Sequence, residues 1–191
     1  MEKLDYENYE MLLAEAGKFH GDICAGIRIG TRMTMAGLRG IGIADPKGVD
    51  RKKLMVFVEI DRCATDAIMA LTGCRPGKRT MKVLDYGKMA ATFINLETGK
   101  AVRLATRINR KEFGENAPDF ASSSAEELFS ITNVEVPLRP EDMPGKPLRR
   151  IICGRCGDTV MDGREVASGG GTLCKPCATQ ESYYRVLTSE S

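Results

Sequence analysis

Lys53-Leu-Met-Val-Phe-Val-Glu-Ile-Asp61 is an unbroken apolar, β-branched run of strand length, and its reading decides the fold class. A strand that is apolar at nearly every position is covered on both faces, so this one belongs inside a sheet. Ala64 to Leu71 follows as a short helix, with Gly73 as its stop. Downstream, Lys88–Leu96 and Ala101–Ile108 read as two strands joined by the turn Glu97-Thr-Gly-Lys100, a β-hairpin. Ser124-Ala-Glu-Glu127 fits a capping box before a short helix reaching about Ile131, and Asn133–Pro137 reads as a last strand.

Upstream of the strand, Tyr6, Tyr9, Leu12, Leu13 and Ala16 recur at helical spacing over residues 5–17, and Gly17 reads as a C-cap. A second helix is expected from about Cys24 to Ala36. Gly26 and Gly30 are four apart and share one of its faces. That face must approach another helix or a ligand closely, since glycine inside a helix costs about 1 kcal/mol against alanine. Asp45-Pro-Lys-Gly48 is a turn. Helices come first and strands then mix with helices without a repeating βαβ rhythm. The expected class is therefore α+β, a mixed helix and antiparallel-sheet core.

Pro137, Pro140, Pro144 and Pro147 crowd into a stretch that reads as a linker. The expected division is a core domain over 1–136, a Pro-rich linker over 137–148 and a small treble-clef finger over 149–191. The chain has 191 residues, 42% hydrophobic and 28% charged, which suits one ordinary domain plus an appendage. Its net charge of +2 leaves no electrostatic footprint for nucleic acid. The charged N-terminus lacks a secretory h-region and no run is long enough to span a membrane. A cytoplasmic location is expected.

Cys153-Gly-Arg-Cys156 and Cys174-Lys-Pro-Cys177 form two C-x2-C pairs. Each pair lets two thiolates converge, and two pairs close a tetrahedron around one zinc ion with no position left for water. The site reads as structural zinc, ahead of two disulfides or iron. A segment this small needs the metal in order to fold. Pro176 and the residues after it, Ala178 to Leu187, read as a helix carrying the last ligand. Residues 149–191 hold six Arg/Lys against five Asp/Glu, and four thiolates on Zn2+ subtract two charges, so the finger is not a nucleic-acid module.

Cys24, Cys63, Cys74 and the single histidine, His20, remain. His20 and Cys24 are four apart and converge if they share a helix. Glu59, Asp61 and Cys63 share one face if the strand continues to its end, where sites commonly form. Gly73-Cys-Arg-Pro-Gly-Lys-Arg79 is a loop whose Arg75, Lys78 and Arg79 could hold an anion. Either these groups build one metal or redox site, or Cys63 and Cys74 are buried hydrophobes and His20 a hydrogen-bonded surface residue.

Phe19-His-Gly-Asp-Ile-Cys-Ala-Gly26, Gly30-Thr-Arg-Met33, Asp61-Arg-Cys63-Ala-Thr-Asp-Ala67, Thr72-Gly-Cys74, Gly77-Lys78 and Asp85-Tyr-Gly-Lys88 occur in that order. Over roughly residues 15 to 110 the chain resembles the E-subunit family of formylmethanofuran dehydrogenase. Some members of that family also carry a C-terminal four-cysteine finger. The resemblance implies an α+β core and a homodimer. It also implies association with a molybdenum or tungsten oxidoreductase that reduces CO2 to a formyl group on methanofuran in methanogenesis, the redox centre lying in other subunits. Carried over residue by residue, the family's site falls on His20, Cys24 and Cys63, with Asp66, Cys74 and Lys78 nearby. It implies a second, core metal ion besides the zinc of the finger. Where the family has His-x-His-x-Cys-Pro-Gly, Asp22 and Ala25 stand here, and Asp22 as a ligand would favour a harder metal.

Two other functions fit the residues. One is a free-standing enzyme with Cys63 or Cys24 as nucleophile and His20 as base. The other is a molybdate- or pterin-related binding protein using Arg75, Lys78 and Arg79.

Overall fold

The computed structural model describes residues 4–108 and 117–187. Its contacts divide the chain into two units, Met1–Pro137 and Leu138–Ser191.

In the first unit two helices, α1 (Tyr9–His20) and α2 (Ala25–Ile41), precede strand β1 (Leu54–Val58). Helix α3 (Cys63–Thr72), β2 (Met81–Val83), β3 (Ala90–Asn95), β4 (Ala101–Thr106), α4 (Ala125–Leu128) and β5 (Phe129–Asn133) follow. The sheet order is β2-β1-β3-β4-β5, so β1 is interior, as its apolar run requires. All pairs are antiparallel except β1–β2, which are parallel and joined through α3. A parallel pair needs such a crossover. β2 is three residues long, too short for a periodicity signal.

The three long helices pack on one another, and α2 also lies on β3 and β4. Leu12, Ile27, Met33, Leu38, Val56, Leu71, Phe93 and Leu104 are fully buried between them. Glycines set the contact distances. A Cβ on Gly30 would stand 2.7 Å from the Ala64 Cα and carbonyl oxygen, and one on Gly26 2.9 Å from the Cys63 Cβ. The glycine face of α2 therefore carries α3 against it. One on Gly37 would strike the Phe93 ring.

Helix α1 runs past Gly17, the expected cap, and stops at Gly21, whose φ is 109° and whose N–H donates to the Gly17 carbonyl at 2.8 Å. Gly17 instead makes room for Ile23, which a Cβ there would meet at 2.6 Å. The capping box forms as read: Ser124 Oγ accepts from the Glu127 N–H and the Glu127 carboxylate accepts from the Ser124 N–H. The helix it opens ends at Leu128, and the last strand begins at Phe129, four residues earlier than expected.

The second unit holds two hairpins and one helical turn. β6 (Arg150–Ile152) pairs with β7 (Thr159–Met161), β8 (Glu165–Ser168) with β9 (Gly171–Cys174), and α5 is Lys175–Thr179. This is the treble-clef order of knuckle, hairpin and helix. The expected helix from Ala178 to Leu187 is cut to one turn. Gln180 takes a left-handed conformation (φ 59°), and Thr179 and Ser182 accept hydrogen bonds from the Glu181 and Tyr184 N–H groups, diverting the backbone from helical pairing. The Pro-rich stretch belongs to this unit: Pro140–Asp142 form a 3-10 turn, Arg139 pairs with Asp142, and the Leu148 N–H donates to Asp162 Oδ1 at 2.8 Å. Among the described residues no helix is long and apolar enough to cross a membrane.

Candidate metal centre

His20, Cys24 and Cys63 each offer one ligand atom, and these atoms lie within 4.8 Å of one another. The convergence differs from the expected route. His20 and Cys24 do not share a helix: His20 is the last residue of α1 and Cys24 the N-cap of α2, and the turn of Gly21 folds one onto the other. Cys63 opens α3 beyond the end of β1, and Gly26 and Gly30 let α3 come close enough to complete the set. Three elements thus place one ligand each, and the bed beneath them is the packed helix layer.

His20 has a carboxylate on each nitrogen side. Its Nδ1 lies 2.8 Å from Asp66 Oδ2, and its Nε2 lies 3.5 Å from Asp22 Oδ1. A carboxylate accepts, so Asp66 favours the tautomer protonated on Nδ1 and leaves the Nε2 lone pair available to a metal. Asp66 sits one turn into α3 from Cys63, so the helix that presents the thiol also orients the imidazole. Asp22 is mostly exposed, at 74% of its side chain, and its contact is beyond hydrogen-bond length. Burial pushes the Cys63 thiol up, and the neighbouring Cys24 thiol adds to the effect. The site opens on a depression of about 430 Å3 lined by His20, Asp61, Arg62, Cys63, Asp66 and Val83. Thr65 Oγ1 donates to the Ile60 carbonyl at 2.7 Å and ties down the loop that bears Asp61 and Arg62.

Other expected members are elsewhere. β1 ends at Val58, and Glu59 turns to Arg103, which donates to both carboxylate oxygens at 2.6 and 2.8 Å. That guanidinium holds the Glu59 carboxyl below its usual range. Cys74 is 3% exposed, its Sγ faces the Leu54 carbonyl and its N–H donates to Thr72 Oγ1, so it is a core residue whose thiol burial pushes up. Lys78 stands exposed on the 3-10 turn Pro76–Lys78. Val83 was not legible as part of the site because β2 itself was not.

In the second unit the ligand atoms of Cys153, Cys156, Cys174 and Cys177 also lie within 4.8 Å of one another. The first pair sits in the β6–β7 turn, Cys174 ends β9 and Cys177 lies on α5. Cys156 Sγ and Cys174 Sγ are 3.8 Å apart, the edge of a tetrahedron with metal–sulfur bonds of about 2.3 Å. The Cys174 N–H donates to Cys153 Sγ at 3.2 Å. Backbone N–H groups, first that of Cys156 and then those of Cys174 and Arg155, pull the Cys153 thiol down to about 6. Arg155 reaches across to the Cys177 carbonyl, tying the two knuckles.

Comparison with known proteins matches each unit separately. The family model described as FmdE, molybdenum formylmethanofuran dehydrogenase operon, covers residues 19–134. The prokaryotic dksA/traR C4-type zinc finger covers residues 147–183. A protein of Archaeoglobus fulgidus described as a probable S-adenosyl-L-methionine-binding protein is 32% identical over 210 residues, taking in 92% of this chain and 54% of that protein. The chain therefore spans about half the length of that curated relative. The crystal structure of a tungsten formylmethanofuran dehydrogenase FmdE-like protein from Syntrophus aciditrophicus aligns with a TM-score of 0.58 at 21% identity, over 96% of this chain and 100% of that one. At that identity the likeness establishes a common fold.

Proposed function

This chain belongs to the FmdE family, and we propose that it is an accessory metal-binding protein carrying one divalent metal ion on His20, Cys24 and Cys63 and one structural zinc ion in its finger. The observation that carries the reading is the convergence of those three side chains within the segment that the family model matches. One imidazole and two thiolates suit a borderline metal such as zinc, and the Asp66 bond to Nδ1 is the usual outer support of a metal-ligating histidine. These three residues would hold the ion, and it would supply Lewis-acid chemistry there. Around it, Asp66 orients the imidazole, Cys63 and Cys24 supply the negative charge, and Arg62 and Asp61 line the opening.

In the finger all four positions are filled by thiolates, so its zinc is structural. We assign the whole protein to molybdenum- or tungsten-dependent formyl and CO2 chemistry, as a cytoplasmic homodimer docking to the subunits that hold the redox centre. Family membership is the support for that assignment.

Metal analysis of the purified full chain tests the core of the proposal. About two equivalents per chain are expected, falling to about one in the Cys24→Ser, Cys63→Ser double variant while the finger keeps its own. A single equivalent that disappears with Cys153→Ser would overturn it. Co-purification with the catalytic subunits of the host's formyl dehydrogenase tests the partner, and elution of the chain alone from such a preparation counts against it.

A further inference from the structure

The core centre has a property that the finger lacks: its two thiols come from different helices. Cys24 caps α2 and Cys63 opens α3. Their sulfurs lie within 4.8 Å of each other. Both residues are partly exposed, and Cys63 lines an open depression, so a small molecule can reach the pair. The absent side chains of Gly26 and Gly30 bring the α2 backbone against Cys63 and Ala64. A sulfur–sulfur bond of about 2.05 Å requires the two sulfurs to close the gap that separates them. The third cysteine of the unit does not compete, since Cys74 is buried against the Leu54 carbonyl.

We propose that Cys24 and Cys63 are a reversible dithiol–disulfide pair, and that their oxidation by a small disulfide switches the core centre off by removing two of its three ligands. One thiolate attacks the small disulfide RSSR, forming a mixed disulfide and releasing one RSH. The second thiolate then attacks the protein sulfur of that mixed disulfide, forming Cys24–Cys63 and releasing the second RSH. Two electrons pass to RSSR; the two released thiolates take their protons from the protein thiols where no metal is bound, or from solvent where the cysteines held the ion, which is then released as Zn2+. The consequence for metal rests on the function proposed above, whereas the bridge itself rests on the geometry alone.

Oxidised glutathione and dithiothreitol applied in parallel to the zinc-loaded full chain test this. Trypsin cleaves after Lys18, Arg28 and Arg62 and is blocked at Arg75-Pro76, so Cys24 and Cys63 fall on peptides 19–28 and 63–78. The expected result is these two peptides joined, about 2 Da below the sum of the reduced pair, with fragment ions placing the bond on Cys63 rather than Cys74. Metal content should fall by about one equivalent on oxidation and return on reduction with added zinc. In Cys24→Ser the same treatment should leave a glutathione adduct on Cys63. Separate glutathione adducts on both thiols of the unsubstituted chain, or thiols that stay free with the core metal retained, would overturn the switch while leaving the metal centre standing. A bridge that forms in protein whose reduced state holds no core metal would sink the proposed function and leave the redox pair intact.

Discussion

The described residues hold two ligand clusters made in opposite ways. In the finger, each half of the cluster is local: two cysteines three apart in one turn, twice over. In the core, His20, Cys24 and Cys63 are spread over one helix end and the starts of two others. The surroundings differ in the same sense. The core cluster rests on the α1–α2–α3 layer, whose inward side chains form a buried hydrophobic core. Strands β6 to β9 are exposed or half-buried at nearly every position, and Cys153 and Asp162 are the buried residues among the described part of that unit. A local cluster without a hydrophobic core needs its ion in order to fold. A cluster assembled by a hydrophobic core is present before any ion arrives.

Stripping metal from the whole protein is the harshest way to break this contrast, and the largest effect is expected there. Structural zinc supplies about 10 kcal/mol or more of folding free energy in small finger domains. Chelation, or Cys153→Ser, should therefore erase protease resistance and dispersed NMR signals over 150–179 and leave those of residues 9–106 in place. Cys63→Ser should leave both units folded. If chelation melts the helices of the first unit as well, the contrast is wrong.

The same contrast explains what the sequence disclosed. The finger was legible because its ligands repeat at fixed spacing and its chemistry needs little else. The interior strand was legible from an apolar run, the hairpin from Glu97-Thr-Gly-Lys100, and the start of α4 from its capping box. The core centre was readable only as a set of residue types. That His20 and Cys24 meet depends on whether α1 stops at Gly17 or Gly21, and both are glycines with a reason to be there: one a close contact, the other a positive φ. That Cys63 joins them depends on helix packing, a long-range fact. Glu59 was drawn into the site by alternation along β1, but its partner Arg103 lies two strands away on β4 and takes it out.

Gly30 tests the dependence of the core centre on packing. In Gly30→Ala the new methyl meets the Ala64 backbone, which cannot rotate aside as a side chain would. The expected cost is about 1–3 kcal/mol in urea denaturation, together with weaker binding of the core metal as α3 and Cys63 are pushed outward. Finger metal should be unaffected. A variant that keeps wild-type stability and wild-type core metal would show that the glycine contact is not what assembles the site.

Glu59 gives a smaller effect with a sign fixed by pH. Its folded pKa lies below the unfolded one, because Arg103 stabilises the carboxylate. The ion pair therefore adds stability above the ordinary carboxylate range, and that increment disappears as pH falls through the folded pKa. Glu59→Gln should lose about 2 kcal/mol at neutral pH, and the gap to the unsubstituted chain should narrow steadily below about pH 4.5. Core metal content should not change, since Glu59 faces the sheet. Loss of one metal equivalent in Glu59→Gln would return this residue to the site.

Asp66 brings the smallest expected change and the sharpest distinction between the clusters. Thiolates of the finger need no outer carboxylate, whereas an imidazole ligand has two tautomers and only the one protonated at Nδ1 presents Nε2. Asp66→Asn keeps the shape of the contact at 2.8 Å, but its amide can satisfy either tautomer. It also gives up the charge that makes Nε2 a stronger donor. Affinity for the core metal should drop on the order of tenfold, with finger metal unchanged. Because the Asp66 side chain is about two-fifths exposed, unfolding free energy should shift by less than about 0.5 kcal/mol. Competition with a chromogenic chelator reads the affinity directly. Tenfold weaker binding at constant stability would mark Asp66 as the positioning residue of the core centre; an equal loss at both metals, or none, would leave the imidazole oriented by packing alone.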